Sequence, residues 1–85
     1  MKNNTEIKTY YYSNGNKWDE TPYVNGKIHG LETWWHENGN KYCEIPCVNG
    51  KRHGLCTWWH ENGNKMYEIP FKQNKQHGAS IVFNY

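Results

Sequence analysis

The chain has 85 residues, which allows one domain and only a thin stability margin for a single compact core. Ten Lys and Arg stand against eight acids, with no long run of either sign, which excludes a basic nucleic-acid tail or a polybasic membrane segment. No apolar run approaches the length of a signal peptide or membrane helix, so a cytoplasmic protein is expected. Hydrophobic residues make up 35% of the chain and aromatics 16%, with five Trp and seven Tyr. A few large rings must therefore supply most of the buried area.

Residues 1–8 form a polar N-terminal segment, in which Asn3-Asn4-Thr5 matches a glycosylation sequon that nothing else supports. From there the chain repeats itself. A shift of 24 residues superimposes Asn14-Gly15-Asn16-Lys17 on Asn38-Gly39-Asn40-Lys41 and on Asn62-Gly63-Asn64-Lys65. It also aligns Pro22, Pro46 and Pro70, and the pairs His29-Gly30, His53-Gly54 and His77-Gly78. Tyr10-Tyr11, Trp34-Trp35, Trp58-Trp59 and Val82-Phe83 fall in one column. This divides the chain into units at 9–31, 32–55 and 56–78 and a partial unit at 79–85.

Each unit opens on a β-favouring aromatic run, such as Leu31-Glu32-Thr33-Trp34-Trp35-His36, followed at once by Asn-Gly. A second strand runs from Lys41 to Val48, where Pro46 must bend it or remove a ladder bond. Asn49-Gly50-Lys51-Arg52-His53-Gly54 then turns the chain back, with glycines to supply positive φ. The expected fold is all-β, an antiparallel meander of tandem hairpin repeats forming an elongated single-layer sheet of about seven strands, on the order of 30 Å across. The paired tryptophans must place one ring on each face. A two-residue turn at Asn38-Gly39 sets Trp34 with Cys43, Ile45 and Cys47, and Trp35 with Thr33, Tyr42 and Glu44; a three-residue turn exchanges these partners.

The pattern of aromatic strand, Glu-Asn-Gly-Asn-Lys, Glu-Ile-Pro and Val-Asn-Gly-Lys-x-His-Gly resembles the MORN-type repeat in its bacterial and viral variant form, over roughly Thr9 to Tyr85. The resemblance implies a single-layer sheet acting as a protein-binding or lipid-binding scaffold, and many small bacterial members are antitoxin-like. The last unit departs from the pattern. Asn74 stands where glycine falls, and Ile81-Val82-Phe83 replaces Thr-Trp-Trp, as in a C-terminal cap.

A single layer cannot cover both of its faces, so exposed Trp and Tyr are candidate recognition residues: Tyr11, Trp34, Trp35, Tyr42, Trp58 and Trp59, with Arg52 beside them. Catalysis needs unlike groups brought together, whereas the repeats present the same residues in every unit, and no enzyme is expected. No cofactor is expected either. The spacing Cys43-x3-Cys47-x8-Cys56 does not follow the paired ligands of structural zinc motifs, and the three thiols are expected to be reduced. The His-Gly histidines are placed to hydrogen-bond turn backbone. Glu20, Glu44 and Glu68 with Lys17, Lys41 and Lys65 form ladders of opposite charge that keep the sheet in register.

The functional expectation is a non-catalytic module that binds a partner protein, as a small inhibitor or antitoxin of phage or mobile-element type. Self-association through open edge strands is the competing class. Nucleic acid is disfavoured by a net charge of only +2. Membrane lipid would have only Lys27, Lys51, Arg52 and Lys75 along one edge.

Overall fold

A computed structural model describes residues 4–83 of the chain. Asn3 of the sequon, the start of the N-terminal segment and the last two residues of the C-terminal unit lie outside the described residues. The described elements are all strands: β1 (Thr5–Tyr11), β2 (Lys17–Val24), β3 (Lys27–Ile28), β4 (Gly30–Trp35), β5 (Lys41–Val48), β6 (Lys51–Arg52), β7 (Gly54–Trp59), β8 (Lys65–Lys72), β9 (Lys75–Gln76) and β10 (Ile81–Val82). They form one open antiparallel sheet in the order β1-β2-β4-β5-β7-β8-β10, and the two-residue strands β3, β6 and β9 pair with β2, β5 and β8. The expected seven-strand meander is therefore present, with extents of 49 × 37 × 12 Å that leave room for a single layer.

Two kinds of Asn-Gly turn alternate along the chain. Asn25 and Gly26 have φ of 52° and 81° and join Val24 directly to its partner Lys27, which makes a two-residue hairpin of type I′. Asn49-Gly50 repeats it, and Gln73-Asn74 holds the same positive φ without glycine. The turn after the aromatic strand is longer. The Gly39 N–H donates to the His36 carbonyl and the His36 N–H to the Asn40 carbonyl, which encloses a three-residue loop, Glu37-Asn38-Gly39.

A three-residue loop alone would reverse which side chains share a face. The register then shifts between Trp34 and Trp35: Trp35 pairs with Lys41, Tyr42 is bulged out, and Trp34 pairs with Cys43. Loop and bulge together restore the parity of a two-residue turn. Trp34 accordingly shares a face with Cys43, Ile45 and Cys47, whereas Trp35 faces Lys41 and not Tyr42. The same bulge recurs at Tyr10/Tyr11 and Trp58/Trp59.

The proline and His-Gly columns explain each other. The His29 N–H donates to the Pro22 carbonyl at 3.0 Å, and β2 changes partner from β3 to β4 at that point, so the proline nitrogen lies where the ladder is already interrupted. The residue that follows the histidine and opens the next strand must be glycine. Gly54 has φ of 127°, and a Cβ there would lie 2.9 Å from the Pro46 ring.

Small side chains make the core. Cys43, Ile45, Cys47 and Cys56 are buried on one face, with Ile28, Trp34, Trp58 and Phe71 packed against them. Contacts between successive units supply the rest, as in other repeat proteins. The Asn38 and Asn40 side-chain amides both donate to the Glu61 carbonyl, and Asn14 and Asn16 repeat this on Glu37. His36 Nε2 donates to the Trp59 carbonyl at 3.0 Å, and the Tyr12 hydroxyl takes the same place on Trp35.

Candidate functional site

The cross-strand register sorts the side chains onto two unlike faces. Directly paired residues share a face, so Trp34, Cys43, Trp58 and Tyr67 form one row, and Glu32, Ile45, Cys56 and Ile69 form the row beside it. This is the core face. At its N-terminal end Trp18, the residue bulged opposite Tyr10/Tyr11, sets its ring 6.1 Å from those of Tyr10 and Trp34 and 6.2 Å from Tyr12. Trp34 is further tied down by its indole N–H, which donates to Glu32 at 3.0 Å.

The other face, here called the outer face, carries three parallel stripes. The middle one alternates Thr9, Glu20, Thr33, Glu44, Thr57, Glu68 and Ile81. Beside it, lysine and aromatic residues interleave. Lys17 binds Glu20 of its own unit and lies 5.5 Å over the Trp35 ring of the next; Lys41 bridges Glu44 and Trp59 in the same way, and Lys65 bridges Glu68 and Phe83. The hydrogen bond that Lys17 donates to the Glu20 carboxylate raises the Lys17 pKa, so the lysine stays charged. The third stripe is apolar: Ile7, Pro22, Leu31, Pro46, Leu55 and Pro70. Leu31 and Leu55 are each about half exposed and Ile7 is 62% exposed.

The sequence-derived candidates therefore divide between the faces. Tyr11, Trp35 and Trp59 lie on the outer face. Trp34 and Trp58 belong to the core, Tyr42 sits at a bulge with its ring 5.0 Å from that of His36, and Arg52 lies 5.3 Å over Phe71. Trp18 and the Leu-Pro stripe were absent from that set; the signal for the stripe is the recurrence of Ile7, Leu31 and Leu55 at the same 24-residue spacing.

Two of the histidines that suggested chemistry, His29 and His36, are engaged structurally. His29 Nδ1 accepts the Asn49 N–H of the next unit's turn. The three cysteines are free and buried; burial raises all three thiol pKa values, that of Cys43 to about 12, so they are unreactive thiols at neutral pH. Among the described residues no group of three His, Cys, Asp or Glu comes together to hold a metal ion. No described helix is long and apolar enough to cross a membrane. Lys27, Lys51, Arg52 and Lys75 do line one edge, in β3, β6 and β9.

A single-layer hairpin ribbon with a small core on one face and regular stripes on the other is a repeat-type binding or scaffold module. The chain belongs to the MORN repeat variant family, whose model matches residues 7–25, 28–49 and 52–73. Repeats of this family are generally non-enzymatic. Neither a curated protein nor a solved structure shows significant similarity to the chain.

Proposed function

We propose that the chain is a cytoplasmic, non-catalytic module that grips a partner protein with its outer face and acts by occupancy, as a small inhibitor or antitoxin covering an enzyme's working surface. The observation that carries this reading is the Ile7-Pro22-Leu31-Pro46-Leu55-Pro70 stripe, exposed at Ile7, Leu31 and Leu55, which shares the outer face with Trp35 and Trp59 across the Thr-Glu row. An apolar stripe on the same face as a row of aromatic rings suits a protein contact, since hot spots draw on Trp and Tyr and on surfaces able to exclude water. The Thr-Glu row between the two stripes and the lysines beyond it give such a contact charges that fix its orientation.

The test is affinity capture from source-cell lysate with the native chain and with Leu31→Ser/Leu55→Ser, followed by an assay of the captured protein's own activity. One protein retained by the native chain, lost from the variant and inhibited by added native chain is the expected result. Equal capture by both chains, or capture without inhibition, rejects the inhibitor reading. Flotation with anionic liposomes would instead assign the lysine-bearing edge to lipid.

A further inference from the structure

The two ends of the sheet are not alike. At the C-terminal end β8 is covered in two places, by β10 at Tyr67 and Glu68 and by β9 at Phe71 and Lys72. At the other end β1 presents seven residues with no strand on their outer side among the described residues. The Asn25 N–H donates to the Asn4 carbonyl, so the even-numbered residues of β1 bond inward to β2. Thr5, Ile7 and Thr9 therefore aim their N–H and C=O groups outward.

We propose that this edge is a homodimer interface, in which β1 pairs antiparallel with β1 of a second copy about a two-fold axis through Ile7. The segment Thr5-Glu6-Ile7-Lys8-Thr9 is self-complementary under that operation. Ile7 meets the partner's Ile7, Thr5 meets the partner's Thr9, and each Glu6 meets the partner's Lys8. The outward groups of residues 5, 7 and 9 fall at hydrogen-bonded pairs. Glu6 and Lys8 fall at the intervening pairs, where side chains of opposite strands approach most closely.

Charge selects this register over its neighbours. An axis one residue earlier sets Glu6 against Glu6, and one residue later sets Lys8 against Lys8. An axis at Thr9 draws in the bulge at Tyr10/Tyr11. Glu6 and Lys8 are exposed; Lys8 rests 5.0 Å over the Tyr23 ring, next to the position the partner's Glu6 would take. The two-fold also keeps each face on its own side, so the Ile7 end of the apolar stripe would continue into the second copy and double its length. A closed two-fold removes the free edge from both copies, which an open edge of this length otherwise leaves available for uncontrolled pairing.

The experiment is sedimentation equilibrium of the full chain across a wide concentration range, with Glu6→Lys, Lys8→Glu and the double swap Glu6→Lys/Lys8→Glu, each checked by circular dichroism. The expected mass rises from 10.2 kDa towards twice that value with concentration. Either single change places like charges opposite each other and abolishes the rise; the double swap restores it. A chain that stays monomeric throughout overturns the proposal. So does a dimer that survives the single changes, or one that the double swap fails to recover. Neither charged residue lies in the Leu31/Leu55 pair tested above, so the two readings fail separately.

Discussion

Trp34 and Trp35 are neighbours in sequence with opposite assignments. Trp34 packs on the cysteine core and anchors its indole N–H to Glu32, while Trp35 lies on the outer face beneath Lys17. Trp58 and Trp59 repeat the contrast one unit later. The difference shows that neighbouring residues of one type are drawn into the core or left on the open face of the sheet by strand parity alone.

Substitutions that separate the two faces should differ widely in cost. The largest effect is expected on the core face. Ile45→Ala, at a position only 7% exposed, should cost about 2–4 kcal/mol in urea unfolding. A loss well below that range would mean the single layer collapses around the missing methyl groups. Gly54→Ala comes next, at about 1–3 kcal/mol, since it adds an unfavourable φ and drives a Cβ against Pro46. The equivalent change at Gly15, where a Cβ meets nothing, should cost less, and equal losses would refute the contact as the cause.

The core face also predicts a pH response. The folded thiol pKa values are raised above the ordinary value of 9.0, that of Cys43 to about 12. The stabilisation is complete below about 9 and is lost as pH rises towards 12, because the unfolded thiols ionise first. Thermal melts should show this alkaline loss, and Cys43→Ala should flatten it. The smallest effect belongs to the outer face: Leu31→Ser/Leu55→Ser should shift stability by about 0.5 kcal/mol or less per site while abolishing partner capture. A large loss of stability would return the stripe to a structural role.

Much of this was legible in the residues. The 24-residue period and the Asn-Gly signals are enough for an all-β meander, because turn chemistry and β propensity act locally. The Lys-Glu ladder was also readable from spacing. What the residues could not show was how far the similar Asn-Gly signals differ. Asn25-Gly26 closes a two-residue turn, whereas Asn38-Gly39 belongs to a three-residue loop offset by the Tyr42 bulge. The candidate site scattered for the same reason, with Arg52 and Trp34 on one face and Trp35 on the other.

The sequence by itself determined the repeat, the seven-strand path of the meander and the placement of rings on both faces, since these follow from periodicity and alternation; the short strands β3, β6 and β9 came with the structure. The tertiary structure alone decided which ring of each pair joins the core, that His29, His36 and the asparagines of the first two three-residue loops bind backbone of the following unit, and that Leu31 and Leu55 align with the prolines between them. The physical reason is parity. In a strand with a two-residue side-chain period, one bulged residue moves every neighbour to the opposite face, and only the paired strands record where that residue falls.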